Sequence, residues 1–423
     1  MHMAVEKTSF KIDEGIELNM KILMISPVCP FPTDTGDRVR INSIFTELSK
    51  YHEVALIFPG SNNRLGETIV NDPKYSIFTT KGQNYKYSQK IKSLFHKYPY
   101  HYVLWYSAEM QESINELLLI NNYDMILCNY LYTVPYVKNS NIPIVVDLQN
   151  IDHIYWNRKT NYYRDNKEYL KSIISRRNLA KIKIFEREMF NRVDGIITVS
   201  SQDAKEIKKS INNDSKIIIT TPNGVDTETY RLKSSLKPSE DLIIGFLGSL
   251  NLDLNIDAAF TLCKEILPKV QQRLKKKNVS ALLVGKNPPK SLIKYAENHS
   301  ERKINLTGTV TNVSEYIKQI DILVLPLKSG SGTKLRVFEA LSCGVNIVGS
   351  RMAFDGIEGL IANIHIMIAD NPDEFVEKIC FLANDVNKQK EMTLKGRELI
   401  ESIYSWESIC RELSDSLTKN FSA

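Results

Sequence analysis

The chain has no CxxC pair. Its six cysteines (Cys29, Cys128, Cys263, Cys343, Cys380 and Cys410) are scattered, and most sit inside apolar runs. That excludes a disulfide framework and a zinc ribbon, and predicts reduced core residues of a cytoplasmic protein. No stretch approaches the roughly 18 unbroken apolar residues of a membrane-spanning helix. The first twenty residues alternate charged and apolar side chains and lack the apolar centre of a signal peptide. No repeat recurs at solenoid spacing. Charge is not one-sided either: 55 Lys and Arg against 49 Asp and Glu leave +6, which does not demand a nucleic-acid partner.

What remains is ordinary globular composition, 43% hydrophobic and 25% charged, over 423 residues. One core does not serve that length, so two domains of roughly 200 residues each are expected. Residues 1–19 read as a loose tail. Short apolar strands follow at KILMISP from Met20, at Glu53–Phe58, Met125–Leu127, Ile144–Val146 and Gly195–Thr198, with helical patterns between them such as Ile41–Leu48. Alternation of this kind implies a parallel sheet covered on both faces. From Thr221 to Asp241 the sequence turns polar and irregular, as a linker would. A second alternating set then begins with LIIGFLG, ALLVG, INLTG, DILVLPL and VNIVGS. Several of these strands end in glycine, at the edge where open α/β sheets bind ligands.

Leu323–Ser350 is the most informative stretch. A strand at Ile322–Leu325 stops at Pro326, small residues fill Ser329–Gly332, a helix starts near Thr333, and a second strand covers Val345–Val348. A helix start offers free N–H groups and partial positive charge to an anion. Lys334 and Arg336 lie in its first turn, and Glu339 shares a face with Arg336 by i,i+3 spacing. Cations suit phosphates, and a carboxylate can accept both hydroxyls of a ribose. On this segment alone, a tight loop with surface cations reads equally well.

Two stretches of the first half are basic and aromatic together. Lys81–Tyr102 has five lysines and no acid, with Tyr85, Tyr87, Phe95, Tyr98, Tyr100 and Tyr102 interleaved, and Arg158–Arg192 holds eleven Lys or Arg against four Asp or Glu. Such a pattern fits either solvated helix faces or an anionic membrane surface. No recognised nucleic-acid module accompanies it, so a nucleic-acid partner is not expected.

Four segments in one order carry a resemblance. They are SPVCPFPTDTGDRVR (Ser26–Arg40), VDGIITVSSQDAKEI (Val193–Ile207) with TPNGVD (Thr221–Asp226), IGFLGSLNLDLNIDAA (Ile244–Ala259) and SGSGTKLRVFEALSCG (Ser329–Gly344). The chain from Met20 to about Glu412 resembles the retaining glycosyltransferases of the GT-B fold, family 4, in a subgroup making bacterial surface polysaccharides. The resemblance implies an α/β fold of two facing Rossmann-like domains with parallel sheets and a C-terminal helix crossing back to the first. The expected boundaries are an acceptor domain at 20–228, completed by about 405–423, and a nucleotide-sugar donor domain at 229–404.

The same resemblance assigns residues. Donor binding falls to Gly36, Asp37, Gly248, Ser249, Ser329, Gly330, Ser331, Gly332, Thr333, Lys334, Leu335, Arg336 and Glu339. Arg40, Gln149, His153 and Glu358 become contacts for the acceptor or the sugar, and Gln149, Lys334 and Glu339 the catalytic group. Asp37 is also read as the N-cap of the helix that follows it. Three departures stand out. Ser331 occupies the place of the family's first glutamate, the loop Ser249–Asp253 lacks the usual basic pair, and Gln149 stands where a histidine is common.

The expected reaction is sugar transfer from a UDP- or GDP-sugar to an acceptor hydroxyl, with the anomeric configuration kept. The acceptor would be a glycan or a lipid-linked glycan, reached from the cytoplasm by peripheral contact with the inner face of the plasma membrane. No DxD-type motif lies in a suitable loop, so neither metal nor other cofactor is expected. The alternatives are a UDP-sugar epimerase of the same fold and a non-catalytic protein that binds a nucleotide-sugar or glycan.

Overall fold

The computed structural model describes residues 20–33, 35–60, 67–72, 75–80, 93, 95–137, 140–165, 167–211, 216–233, 241–328 and 335–422. The tail expected at 1–19 and most of the first basic stretch, 81–92, lie outside these residues. The chain divides into two compact units. The first holds the chain up to Thr198, Asp203–Ile219 and Arg411–Ala423; the second holds Val199–Gln202 and Thr220–Cys410. The units therefore divide at Thr220 and Arg411, beside expected boundaries of 228/229 and about 405.

The first unit is built on eight strands: β1 (Lys21–Ile25), β2 (Glu53–Pro59), β3 (Glu67–Asp72), β4 (Tyr75–Thr80), β5 (Met125–Asn129), β6 (Ile144–Leu148), β7 (Gly195–Thr198) and β8 (Ile217–Thr220). Their order across the sheet is β3-β4-β2-β1-β5-β6-β7-β8. β1 pairs in parallel with both β2 and β5, and β5 and β6 are buried at every position. That two-sided burial is why these strands read as unbroken apolar runs. β3 pairs antiparallel to β4 at the sheet edge. So short a link between Asp72 and Tyr75 permits only a hairpin, since a parallel neighbour needs a crossover.

The second unit carries six parallel strands: β9 (Asp241–Leu247), β10 (Asn278–Val284), β11 (Ile304–Leu306), β12 (Ile322–Leu325), β13 (Asn346–Gly349) and β14 (Met367–Ile368), ordered β11-β10-β9-β12-β13-β14. A helix at Leu335–Ser342 joins β12 to β13. It stops because Gly344 takes φ of +75°, a conformation that suits glycine. The Val345 amide then donates back to the Ala340 carbonyl at 2.9 Å. Val345 belongs to that helix ending, so β13 starts at Asn346 rather than at the expected Val345.

The last helix, Trp406–Phe421, begins in the second unit and ends in the first. Within the first unit, its Ser414 hydroxyl and His52 Nε2 share a hydrogen bond of 2.8 Å. The ring of Phe421 lies so close beneath Gly195 that an added Cβ there would sit 2.7 Å from it. The six cysteines are free, four of them buried. Among the described residues no helix is long and apolar enough to cross a membrane.

Candidate functional site

In each sheet the strand order reverses beside the strand that comes first in the chain. β9 is followed by β10 and β11 on one side, and β12 then returns to its other side. The carboxyl ends of the two strands at such a reversal leave a crevice for ligands. Arg336, from the helix after β12, spans this point in the second unit. Its Nη1 donates to the Leu247 carbonyl at the end of β9 (2.6 Å) and to Asn255 Oδ1 (3.2 Å). Asn255 Nδ2 in turn donates to the Ser249 carbonyl at 2.9 Å. Gly248 lies against this guanidinium with φ of +155°, and a Cβ there would meet Arg336 Nη1 at 2.7 Å. Burial lowers the proton affinity of Arg336, and the charge of Glu339 opposes that shift.

Glu339 lies one turn further along the helix and is partly buried. The Tyr230 hydroxyl donates to its Oε1 at 3.1 Å. Burial holds the carboxyl above its usual range, while the Tyr230 bond and the Arg336 charge pull it down. The Tyr230 phenol is itself pushed well up, by burial and then by the negative Glu339. Its backbone is fastened on both sides. Ser342 Oγ and Arg397 Nη1 each donate to the Tyr230 carbonyl at 2.7 Å, and Arg397 also reaches the carbonyls of Ser342 and Thr227. The segment read as a linker thus packs, through Tyr230, onto the helix that carries Glu339.

Leu335 is the first described residue of that helix. Ser329, Gly330, Ser331, Gly332, Thr333 and Lys334 lie outside the described residues. Glu358 is exposed; its carbonyl accepts from the Tyr404 hydroxyl at 2.7 Å, and its carboxylate accepts from Ser201, which groups with the second unit.

In the first unit the reversal lies between β1 and β5, where Asn129 Nδ2 donates to the Ile25 carbonyl at 3.3 Å. Arg40 does not present an open cation at this edge. Its side chain is 1% exposed and its Nε and Nη2 grip the carboxylate of Asp147, itself 0% exposed, with the shortest bond at 2.6 Å. A charge so enclosed needs a partner in place, which corrects the reading of Arg40 as a contact for the acceptor or the sugar. Asp37 is corrected too: Thr35 is the N-cap position, Gly36 opens the helix, and Asp37 lies in its first turn. Gln149 joins the ends of β5 and β6 to this turn. Its Oε1 accepts from the Tyr130 hydroxyl at 3.2 Å and its Nε2 donates to the Asp37 carbonyl at 3.4 Å.

His153 lies in the first turn of the next helix with its Nδ1 2.7 Å from Glu186 Oε2, and its backbone amide donates to Glu186 Oε1 at 3.0 Å. The bond to Glu186 raises the proton affinity of the imidazole and fixes the ring, as an orienting carboxylate does. Beside it, burial pushes the Asp152 carboxyl up to about 7, against a hydrogen bond from Tyr132. The structure therefore gathers Asp37, Arg40, Gln149 and His153 around one edge of the first sheet. It gathers Gly248, Ser249, Arg336 and Glu339 around one edge of the second.

The profile described as Glycosyltransferase Family 4 matches residues 41–229, and that described as Glycosyl transferases group 1 matches residues 241–385. The first spans β2 to β8 of one sheet and the second all six strands of the other, and their order along the chain is that of the two units. The chain belongs to the GT-B glycosyltransferases. A search of curated proteins returned no match. Among solved structures, sucrose-phosphate synthase from Thermosynechococcus elongatus superposes with a TM-score of 0.64 at 14% identity, covering 95% of this chain and 99% of that one. A glycosyltransferase from Rickettsia africae gives 0.61 at 14% identity, with 95% and 98% covered. Anabaena HepE in complex with UDP and glucose gives 0.58 at 12%, with 94% and 99% covered. At such identities the likeness is one of fold.

Several residues of this glycosyltransferase escaped the sequence reading. Asp147 carried a signal: a lone carboxylate inside the apolar run IVVDL requires a buried partner. Tyr230, Asn255 and Arg397 carried none, because their roles depend on contacts between segments far apart in sequence.

Proposed function

We propose that this glycosyltransferase moves a hexosyl group from a UDP- or GDP-sugar to an acceptor hydroxyl with retention, in the assembly of a surface polysaccharide or related glycan. The observation that carries the reading is the Glu339 carboxylate, held by Tyr230 at the carboxyl edge of β9 and β12, where a ribose diol would find two acceptor oxygens. Fold neighbours support the donor class: HepE is described with UDP-glucose, and an E. coli trehalose-6-phosphate protein with UDP-2-fluoroglucose. In this reading residues 329–334, with Lys334 and the first amides of the following helix, receive the diphosphate as negative charge gathers on it. Gly248, Ser249 and Leu335 line the approach. Gln149 and His153 meet the sugar or acceptor, Glu358 serves the sugar hydroxyls in place of the carboxylate absent at Ser331, and the departing phosphate accepts the acceptor's proton. No metal is needed. The acceptor is a glycan or lipid-linked glycan, taken from the cytoplasm at the inner face of an anionic membrane.

The test is incubation with a panel of UDP- and GDP-sugars, with and without chelator. Free nucleotide together with a product whose anomeric proton coupling matches the donor supports retaining transfer. An isomerised donor assigns an epimerase instead, and binding without turnover assigns a non-catalytic sugar-nucleotide protein. Loss of turnover with chelator removes the metal-free part of the reading.

A further inference from the structure

The helices Asp152–Asp165 and Tyr169–Phe190 form a hairpin with a small core of its own, made by Trp156, Leu179 and Ile182. Thr160 and Ser175 hydroxyls lock the two helices together at 2.7 Å. The inner face of the longer helix continues into the main core through Phe185 and Met189. Its outer face is not the polar surface such a helix would show to water. Ile173, Arg177, Ala180, Ile184 and Arg187 are all exposed, and their spacing of i, i+4, i+7, i+11 and i+14 makes one stripe of mixed aliphatic and basic groups. At the turn end, Tyr169 and Leu170 stand out as well, Leu170 at 73% exposure and Ile184 at 65%.

The other basic stretch meets this same helix. Lys181 Nζ donates to the Ser93 carbonyl at 2.9 Å, the Tyr100 amide donates to Asn178 Oδ1 at 2.9 Å, and the Tyr98 ring packs on Phe185. That places Phe95, 86% exposed, and Lys97 beside the hairpin. The hairpin's carboxylates are occupied: Asp152 by Tyr132, Asp165 by Arg164, Glu168 by Lys171, Glu186 by His153 and Glu188 by Arg192. Among the described residues Arg158, Arg176, Arg177 and Arg187 have no carboxylate partner, so the surface keeps a net positive field.

We propose that this hairpin face, with Phe95 at its side, is the surface by which the enzyme docks on an anionic lipid bilayer. The proposal rests on the membrane part of the function proposed above and names the residues that serve it. Cations without partners match anionic headgroups, and branched aliphatic side chains enter the acyl boundary. A second copy of the chain would set like charges against each other. Nucleic acid would leave Leu170, Ile173 and Ile184 with nothing to pack on, because bases stack on flat rings.

The test is co-sedimentation of the full chain with vesicles of equal parts phosphatidylglycerol and phosphatidylcholine, and with phosphatidylcholine alone. Binding to the mixed vesicles, weakened by salt, is expected. About a tenfold loss is expected in Leu170→Ser/Ile173→Ser/Ile184→Ser and in Arg176→Gln/Arg177→Gln/Arg187→Gln, with unchanged melting. Equal binding to both vesicle types, or full binding by either triple variant, overturns the proposal. So does duplex-DNA binding that survives the aliphatic variant. Donor turnover measured without vesicles separates the two readings. Turnover retained without vesicle binding removes the docking surface alone, and vesicle binding without turnover supports the surface while removing the transfer reading.

Discussion

The Tyr230 hydroxyl donates to Glu339 Oε1 at 3.1 Å while Ser342 and Arg397 pin the Tyr230 carbonyl. Burial raises the Glu339 carboxyl, and this hydroxyl is first among the groups that oppose the rise. Tyr230→Phe keeps the ring and removes only the donor, so the carboxyl moves further up. In the proposed donor site, a carboxylate that must be ionised to accept a ribose diol then fails at a higher pH. UDP affinity measured by calorimetry across pH should show its acid limb displaced upward by about one unit. An identical profile in both proteins would leave Tyr230 as packing only.

Arg40 and Asp147 form a buried pair whose two ends come from the first helix and β6. Arg40→Met leaves a carboxylate enclosed without a counter-charge, which costs about 3–5 kcal/mol. Adding Asp147→Leu removes that orphan, and the double variant should recover most of the loss. Urea unfolding of the three proteins gives the comparison.

Gly248 is confined by its backbone and by its neighbour together. At φ of +155° with Arg336 Nη1 2.7 Å from the place of a Cβ, alanine is strained and displaces the guanidinium from the Leu247 carbonyl. Gly248→Ala should lower stability by about 1–3 kcal/mol. It should also weaken UDP binding more than Gly308→Ala, whose Cβ would have nothing within 4 Å.

How much of this was legible in the sequence follows from what each feature depends on. KILMI and EVALIF announce β1 and β2, since a strand buried on both faces has no polar alternation to hide it. ETIVND does not announce β3, because an edge strand keeps polar residues and borrows its pairing from β4. Glu339 was readable as a carboxylate one turn from a cation on a helix after a glycine-rich loop. Its partner Tyr230 was not, sitting 109 positions away in an irregular polar stretch. Arg40 misled for the same reason: a cation after a glycine loop resembles a contact for the acceptor or the sugar until a partner 107 positions away is seen to claim it.

Asp152 gives a pH signature in stability. Burial pushes its carboxyl up to about 7 in the fold from an ordinary value of 3.8, so the folded state favours the protonated form. That contribution is fully present below about 3.8 and is lost as pH rises through 7, at about 1.4 kcal/mol per unit at most. Asp152→Asn preserves an acceptor for Tyr132 and removes the charge. The variant should be more stable than the parent at pH 8 by about 1–3 kcal/mol and indistinguishable at pH 4. Thermal melting at the two pH values decides it.

The His153–Glu186 pair has the opposite sign. The hydrogen bond to Glu186 raises the imidazole above its ordinary value of 6.5, so the pair's contribution is complete below about 6.5 and fades as pH rises through the elevated value. Glu186→Gln keeps the shape and takes away the negative charge, leaving burial as the stronger influence, which lowers the imidazole. NMR titration of His153 should then show its midpoint falling by about one unit. If His153 contacts the acceptor or sugar, the low-pH limb of kcat should fall with it while the donor KM stays constant. A midpoint unmoved by Glu186→Gln would mean that the carboxylate merely packs against the ring, and the dyad would lose its part in positioning the histidine.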